Sequence, residues 1–122
     1  MSDVKAISIS LSQKEISSNQ EVHGTININY LGRFDSIVIN SQIENSSDIF
    51  HFTNLNGKRI VYPYARLSIL KDDIGNRKIL EFIAETKHVP LGNHSDVKFR
   101  AAIIQEHKEV SSDTVYIRIL KF

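Results

Sequence analysis

The chain has 122 residues, with 15 Lys and Arg, 14 Asp and Glu, and a formal net charge of +1. This length suits a single domain, residues 1–122, that buries a core of its own. The evenly scattered charges argue against a nucleic-acid or anionic-membrane partner. The chain contains no cysteine, which excludes a disulfide framework, a thiolate nucleophile and a Cys-ligated zinc site.

The start of the chain, MSDVKAISISLSQKE, lacks the basic and then apolar arrangement of a secretion signal. No apolar run approaches the roughly 18 residues that a membrane-spanning helix needs. We therefore expect a soluble, cytoplasmic protein without a membrane partner.

Alternation of polar and apolar residues predicts strands along most of the chain. A first strand, Val4–Leu11, leads through a turn into residues 21–45, where the alternation is clearest. Such a period of two indicates strands with one buried and one solvated face. A short connection containing Gly32 divides this stretch, so we predict an antiparallel hairpin at the centre of the fold. Its inward positions are Ile26, Ile28, Tyr30, Ile37, Ile39 and Ile43.

The second half of the chain continues this pattern. Asn56-Gly57 is the strongest two-residue hairpin signal, and Pro63 interrupts the strand predicted at 59–70, which indicates an edge or a bulge there. Residues 78–87 fit a helix or a strand buried on both faces, and the neighbouring strands favour a strand in a meander. The other predicted strands are 49–53, 97–104 and 115–122, and the other predicted turns or loops are 71–78, 88–95 and 106–113.

About seven to eight strands without a firm helix are typical of an antiparallel, immunoglobulin-like β-sandwich. Two segments also resemble the arrestin family. Residues 18–26, SNQEVHGTI, are similar to its turn, Val and Gly that lead into an alternating strand, with Asn19 in place of the usual turn glycine. Residues 89–103 resemble its proline-containing loop and the strand after it. The resemblance implies an arrestin-type sandwich and an adaptor or scaffold role. Arrestins carry two sandwiches and an interdomain polar core, so their phosphate sensing is not carried over to this shorter chain.

The histidines are the candidate metal ligands besides the carboxylates. No two of them have the spacing of two on a strand or four on a helix that would place them together. His88 and His94 flank one loop and could converge, and His107 lies near Glu106 and Glu109 in another. The full set is His23, His51, His88, His94 and His107.

The sequence supports a catalytic motif even less than a metal site. A Ser–His–Asp set can be written from Ser95, His94 and Asp96, but no Gly-x-Ser-x-Gly elbow surrounds it. The five glycines are isolated, so no phosphate-binding loop is predicted. We expect no enzyme activity, no cofactor and no metal, with a small metal-binding protein or enzyme as the alternative.

Aromatic and apolar residues on faces expected to be solvated mark a candidate interaction surface. Tyr and Arg are enriched at binding hot spots, and an edge strand offers unpaired backbone groups to a partner. The alternative is that loops or neighbouring strands cover these faces. The candidate residues are Tyr62, Tyr64 and Arg66 around Pro63, and Tyr116, Leu120 and Phe122 on the last strand.

We therefore predict a noncatalytic protein-interaction module that binds a protein partner or a second copy of itself through an edge strand. Binding of single-stranded nucleic acid is a further alternative, because four basic residues and the tyrosines could form a patch. Interleaved acidic residues oppose it. The basic residues are Arg59, Arg66, Arg77 and Lys78, and the acidic ones are Asp72, Asp73 and Glu81.

Overall fold

A computed structural model describes residues 5–62 and 64–121. These residues form ten strands and one short helix, α1 (Lys71–Ile74). No helix among them is both long enough and apolar enough to cross a membrane. The strands are β1 (Ile7–Leu11), β2 (Glu15–Ser17), β3 (Glu21–Ile28), β4 (Ser36–Ile43), β5 (His51–Leu55), β6 (Lys58–Tyr62), β7 (Arg66–Leu70), β8 (Ile79–Glu85), β9 (His94–Gln105) and β10 (Lys108–Leu120).

The strands form two five-stranded sheets. The first sheet has the order β1-β3-β8-β5-β6, and the second has the order β2-β10-β9-β4-β7. All pairs are antiparallel except β2 with β10, which run parallel. The predicted all-β sandwich is confirmed at this level, with ten strands in place of the predicted seven to eight and with one parallel pair.

Alternating apolar residues of both sheets meet in one buried cluster. Its centre is aromatic: the ring centroids of Phe50 and Phe99 are 5.0 Å apart, and those of Phe82 and Phe99 are 6.1 Å apart. Phe82 belongs to the first sheet and Phe99 to the second, so this contact joins the two layers. Such ring pairs add to the stabilisation that burial of their area provides.

Gly24 allows one of these rings to lie directly against β3. A Cβ atom at this position would be 2.1 Å from Cζ of Phe82. The pairing of β3 with β1 and β8 runs through Gly24 without a register shift. A glycine within a strand usually marks a bulge or a close approach to the backbone, and Gly24 is the second case, because the Phe82 ring lies against it.

The predicted hairpin at 21–45 is wrong, because β3 and β4 lie in different sheets. The amide of Ile28 still donates to Lys78 beside the first sheet, whereas the amide of Asp35 already donates to Ile104 of the second. Residues 29–35 between them cross the end of the sandwich and bury Phe34. A connection that contributes to the core in this way is a crossover between sheets and not a tight turn.

The strand predicted at 59–70 is two strands, because β6 belongs to the first sheet and β7 to the second. Pro63, to which the predicted edge or bulge was assigned, lies outside the described residues. The predicted meander is wrong for the same reason, since β7 and β8 are also in different sheets. Part of the turn predicted between them forms α1, a single helical turn.

Other predictions are confirmed. Residues 78–87 contain β8, a strand, and Asn56-Gly57 joins β5 to β6 in a hairpin, with φ of 53° and 82° at the two turn residues.

The turn predicted at 106–113 is wrong in its length, because only Glu106 and His107 form the turn, with φ of 49° and 66°, and β10 begins at Lys108. The short strand β2 lies within the turn predicted at 13–20.

Candidate functional site

An open groove of about 930 Å³ crosses the outer face of the second sheet. It extends over β2, β10, β9 and β4, the first four strands of that sheet. Its lining is polar and charged apart from Tyr116 and two aliphatic residues. The lining residues are Lys14, Glu15, Gln42, Glu44, Asn45, Asp96, Val97, Lys98, Tyr116, Ile117 and Arg118.

Strand alternation places these side chains on one face. Ile117 and Ile119 of β10 are buried. Tyr116, which precedes Ile117, and Arg118, which lies between the two, therefore point outward. The register then brings Tyr116 opposite Lys98, and Arg118 opposite Asp96. Side chains opposite one another on one face of an antiparallel pair are neighbours, so the groove is formed by rows of outward residues that run across the strands.

Both signs of charge are present in the groove. Asp96 lies at the centre of one such row, with Arg118 Nε 3.7 Å and His94 Nε2 3.5 Å from its Oδ1. Glu15 of β2 is paired in register with Arg118. Three acidic residues (Glu15, Glu44 and Asp96) and three basic residues (Lys14, Lys98 and Arg118) line the groove. The electrostatic surface is therefore mixed and does not favour one sign of ligand.

Five of the six residues predicted as an interaction surface lie among the described residues, and these five fall into two groups. Tyr116 lies in the groove with 67% of its area exposed, and Leu120 follows on the same face of β10. Tyr62 and Tyr64 contact each other with ring centroids 5.4 Å apart where β6 ends, near Arg66 at the start of β7. Because β9 and β4 separate β10 from β7, the strands that carry Tyr116 and Arg66 are roughly 14 Å apart across the second sheet. Phe122 lies outside the described residues.

The basic residues considered for nucleic-acid binding do not form one patch. Arg66 begins β7, whereas Arg77 and Lys78 precede β8 near the opposite end of the sandwich. Arg59 lies on β6 at the edge of the first sheet. The structure therefore separates these side chains along the length of the strands.

Asp48, His88 and Ser95 form a hydrogen-bonded network at the end of the sandwich. Asp48 Oδ2 lies 2.7 Å from His88 Nδ1, and His88 Nε2 lies 2.9 Å from Ser95 Oγ. With the Nδ1 proton directed to the carboxylate, Nε2 accepts a hydrogen bond from the serine hydroxyl. The hydrogen bond from His88 holds the pKa of Asp48 below its ordinary value.

These distances resemble those of a Ser–His–Asp triad, but the accessibility is reversed. In hydrolytic triads the carboxylate is buried and the serine is presented to the substrate. Here the side chain of Asp48 is 60% exposed and that of His88 is 7% exposed. Ser95 pairs with the core residue Ile119 and shares its inward side. The network therefore joins the loop before β5, the loop after β8 and the start of β9.

Ser95, His94 and Asp96 do not form a Ser–His–Asp set, because Ser95 bonds to His88. His94 points to the outer face towards Asp96, so His88 and His94 do not converge. Glu109 contacts Arg100, and not His107. In the part of the chain that the structure describes, no group of three or more His, Asp or Glu side chains is placed to hold a metal ion.

Sequence reasoning could not find the Asp48–His88 contact, since 40 residues separate the two side chains. It also missed the β2 side of the groove, because residues 13–20 read as a turn. The outward alternation of Tyr116 and Lys98 was the available signal for the groove. It could not show that these two residues are neighbours without the pairing of β9 and β10.

No protein-family model matches this chain, and no curated protein matches it either. Solved structures do match it in fold. The reeler domain of human F-spondin has a TM-score of 0.59 and 11% identity, over 93% of this chain and 89% of that one. BslA, a bacterial hydrophobin, has a TM-score of 0.55 and 16% identity, over 93% and 97%. A lipoprotein from Bacteroides thetaiotaomicron has a TM-score of 0.55 and 7% identity, over 98% and 83%.

These similarities concern the fold alone. They include reeler, lipoprotein and hydrophobin folds and not arrestins, so the predicted arrestin resemblance is wrong. The first of the two segments that suggested it, residues 18–26, meets general needs of a β-sandwich. Asn19 has the positive φ of 67° that a tight turn requires, and Gly24 makes room for a core ring. Neither feature is specific to one family of sandwiches.

Proposed function

We propose that this protein is a noncatalytic interaction module that binds an extended segment of a partner protein in the groove of the second sheet. The observation that carries the proposal is Tyr116, which is 67% exposed within a concave surface and flanked by charged side chains. A tyrosine in such a position offers a large apolar area together with a polar hydroxyl, which is the character of a binding hot spot.

The dimensions and charges of the groove support a polypeptide ligand. Four strands give a width of roughly 14 Å, which an extended chain of about four to five residues would span. Lys98 and Arg118 can bind acidic side chains of such a segment, and Glu15 and Glu44 can bind basic ones. The same acidic residues would repel the phosphates of a nucleic acid. A polypeptide of mixed charge therefore fits the groove better.

The noncatalytic part of the proposal rests on the Asp48–His88–Ser95 network. Its histidine is buried, and Thr86 Oγ1 fixes the same loop by accepting a bond from the His88 amide and donating to the Ile49 carbonyl. These bonds support a role for the network in holding the loops together. In such a role the histidine does not need to reach a substrate.

A pair of tyrosines provides a matched test. Peptides selected from a displayed random-peptide library on the wild-type protein are measured against Tyr116→Ala and Tyr64→Ala, since these tyrosines are 67% and 64% exposed. We expect Tyr116→Ala to weaken binding about tenfold or more and Tyr64→Ala to change it by less than about twofold. Selected peptides that tolerate Tyr116→Ala and lose affinity with Tyr64→Ala would place the binding surface elsewhere.

The nucleic-acid alternative has its own readout. Affinity for a single-stranded oligonucleotide would fall steeply as salt concentration rises, because bound counterions are released from the phosphates. A peptide of mixed charge in this groove should show a shallow salt dependence. The proposed ligand class would be overturned if an oligonucleotide bound with a steep salt dependence and if Tyr116→Ala abolished this binding.

A further inference from the structure

The two sheets have four edge strands, and one of them differs from the others in its protection. An edge strand exposes unpaired amide and carbonyl groups, which invite another strand unless a bulge, a charge, shortness or a covering side chain prevents it. The edges are β1 and β6 in the first sheet, and β2 and β7 in the second.

Three edges carry such protection. The pairing of β6 with β5 shifts register between Phe52 and Asn54, which indicates a bulge, and β6 begins with Lys58 and Arg59. The outward amide of Ile9 on β1 donates to a carboxylate oxygen of Asp113 at 3.0 Å. The remaining edge, β2, has only three residues.

β7 has a regular and uncovered edge. Its register with β4 runs without a shift from Leu70 to Arg66. The amide of Lys71 donates to Asp35 and that of Ser41 donates to Ala65, so odd-numbered residues of β7 face β4. In an antiparallel ladder the alternate residues then direct their amide and carbonyl groups away from the partner strand. Those residues are Arg66, Ser68 and Leu70, and all three are exposed.

We propose that β7 pairs antiparallel with β7 of a second copy, about a twofold axis at Ser68. Arg66 of each copy would lie opposite Leu70 of the other, and about six backbone hydrogen bonds would form. The second sheets of the two copies would then form one continuous ten-stranded sheet. Leu70, now 58% exposed, would be covered by the aliphatic part of Arg66 from the second copy.

Charge complementarity selects a second copy as the partner. Arg66 stands at the start of β7, and Asp72 and Asp73 follow its end in the first turn of α1. Among the described residues neither Arg66 nor Asp72 forms an ion pair. An antiparallel arrangement brings Arg66 of each copy towards Asp72 of the other, twice by symmetry. Within one copy the ends of β7 are roughly 13 Å apart, so the two charges do not meet.

Sedimentation velocity over a concentration series up to about 1 mM tests the dimer, since a short interface implies weak association. We expect the wild-type mass to rise towards that of a dimer. Ser68→Pro removes an outward amide without affecting the bonds to β4, so this variant should stay monomeric, whereas Ser68→Ala should dimerise like the wild type. A wild-type chain that stays monomeric throughout, or a Ser68→Pro variant that dimerises, would overturn the proposal.

A charge exchange tests the register even if Ser68→Pro fails to fold. Arg66→Glu and Asp72→Arg should each weaken dimerisation about tenfold, and the double variant should restore it. Since the two positions are apart in one copy, rescue requires a second copy. Equal dimerisation of all four proteins, or a double variant no better than either single one, would contradict this register. Tyr116→Ala should not affect the dimer, so failure of this proposal is separable from failure of the groove.

Discussion

The edge strands on the two long sides of the sandwich differ in how far their outward backbone groups are covered. On one side β1 and β2 close the sheets against β10, and Asp113 of β10 bonds both to the amide of Ile9, at 3.0 Å, and to Nζ of Lys5, at 2.7 Å. On the other side β6 and β7 end the two sheets with exposed residues, among them Val61, which is 90% exposed. We refer to these as the closed side and the open side.

On the closed side one carboxylate accepts a hydrogen bond from an outward amide of an edge strand. Asp113 is part-buried, which by itself would raise its pKa. Hydrogen bonds from Lys5 and from the amides of Ile9 and Thr114 outweigh burial, so the pKa of Asp113 lies below its ordinary value. The protection of the closed side therefore depends on a charged group whose state changes with pH. On the open side β6 is protected by a bulge and by Lys58 and Arg59, whereas β7 keeps a regular register with β4.

The largest change in the free energy of unfolding is expected for a substitution where the closed side contacts the core. Gly24 pairs with Leu11 of β1, and the Cβ of Gly24→Ala would lie 2.1 Å from the Phe82 ring. The ring must move within a packed interior, so we expect a loss of about 3 kcal/mol in the free energy of unfolding, measured by urea denaturation.

Gly92→Ala is the matched control, because no described atom lies within 4 Å of a Cβ at that position. It should change the free energy of unfolding by less than about 0.5 kcal/mol. Equal effects at Gly24 and Gly92 would show that the contact of Phe82 with β3 is not what limits substitution.

The next effect distinguishes the two sides directly. Asp113→Ala leaves the part-buried amide of Ile9 without its acceptor and should lower the free energy of unfolding by about 2 kcal/mol. Arg66→Ala on the open side, measured at concentrations where the chain is monomeric, should change it by less than about 0.5 kcal/mol. A reversed order in urea denaturation would mean that the open side, and not the closed one, limits stability.

The sequence was informative about strands and poor about their partners. Alternation located β4 and most of β9, because each strand has its own buried face. For 78–87 the neighbouring strands favoured a strand over a helix, and β8 has one buried face where the sequence suggested burial on both. It could not assign β3 and β4 to different sheets, since a hairpin and a crossover leave the same alternation. The burial of Phe34 in the connection decides between them, and that burial is a property of the packed sandwich.

For the candidate site too, the sequence indicated which residues face solvent but not which of them are neighbours. Tyr116 stood out as an aromatic residue on a solvated face, and the structure places it in the groove. Tyr64 lies where β6 ends, away from Tyr116, because strand order and not sequence distance determines which exposed residues are neighbours. The β9–β10 turn was predicted too long, because Glu106 and His107 adopt positive φ without the Gly or Asn that usually marks such a turn.

The smallest effect is a pH dependence of the closed side. Because the folded pKa of Asp113 is lowered, its contribution is fully present above the unfolded pKa of about 3.9 and is lost as pH falls through the folded value. We therefore expect wild type and Asp113→Asn to differ in urea midpoint at pH 7, and this difference to narrow below about pH 4. Ser68→Ala on the open side removes no charge, so its difference from wild type should not vary with pH. A gap between wild type and Asp113→Asn that persists undiminished to pH 2 would mean that the charge of Asp113 is not what the substitution removes from the closed side. No gap at pH 7 would mean that the hydrogen bond to Ile9 is sufficient without the charge.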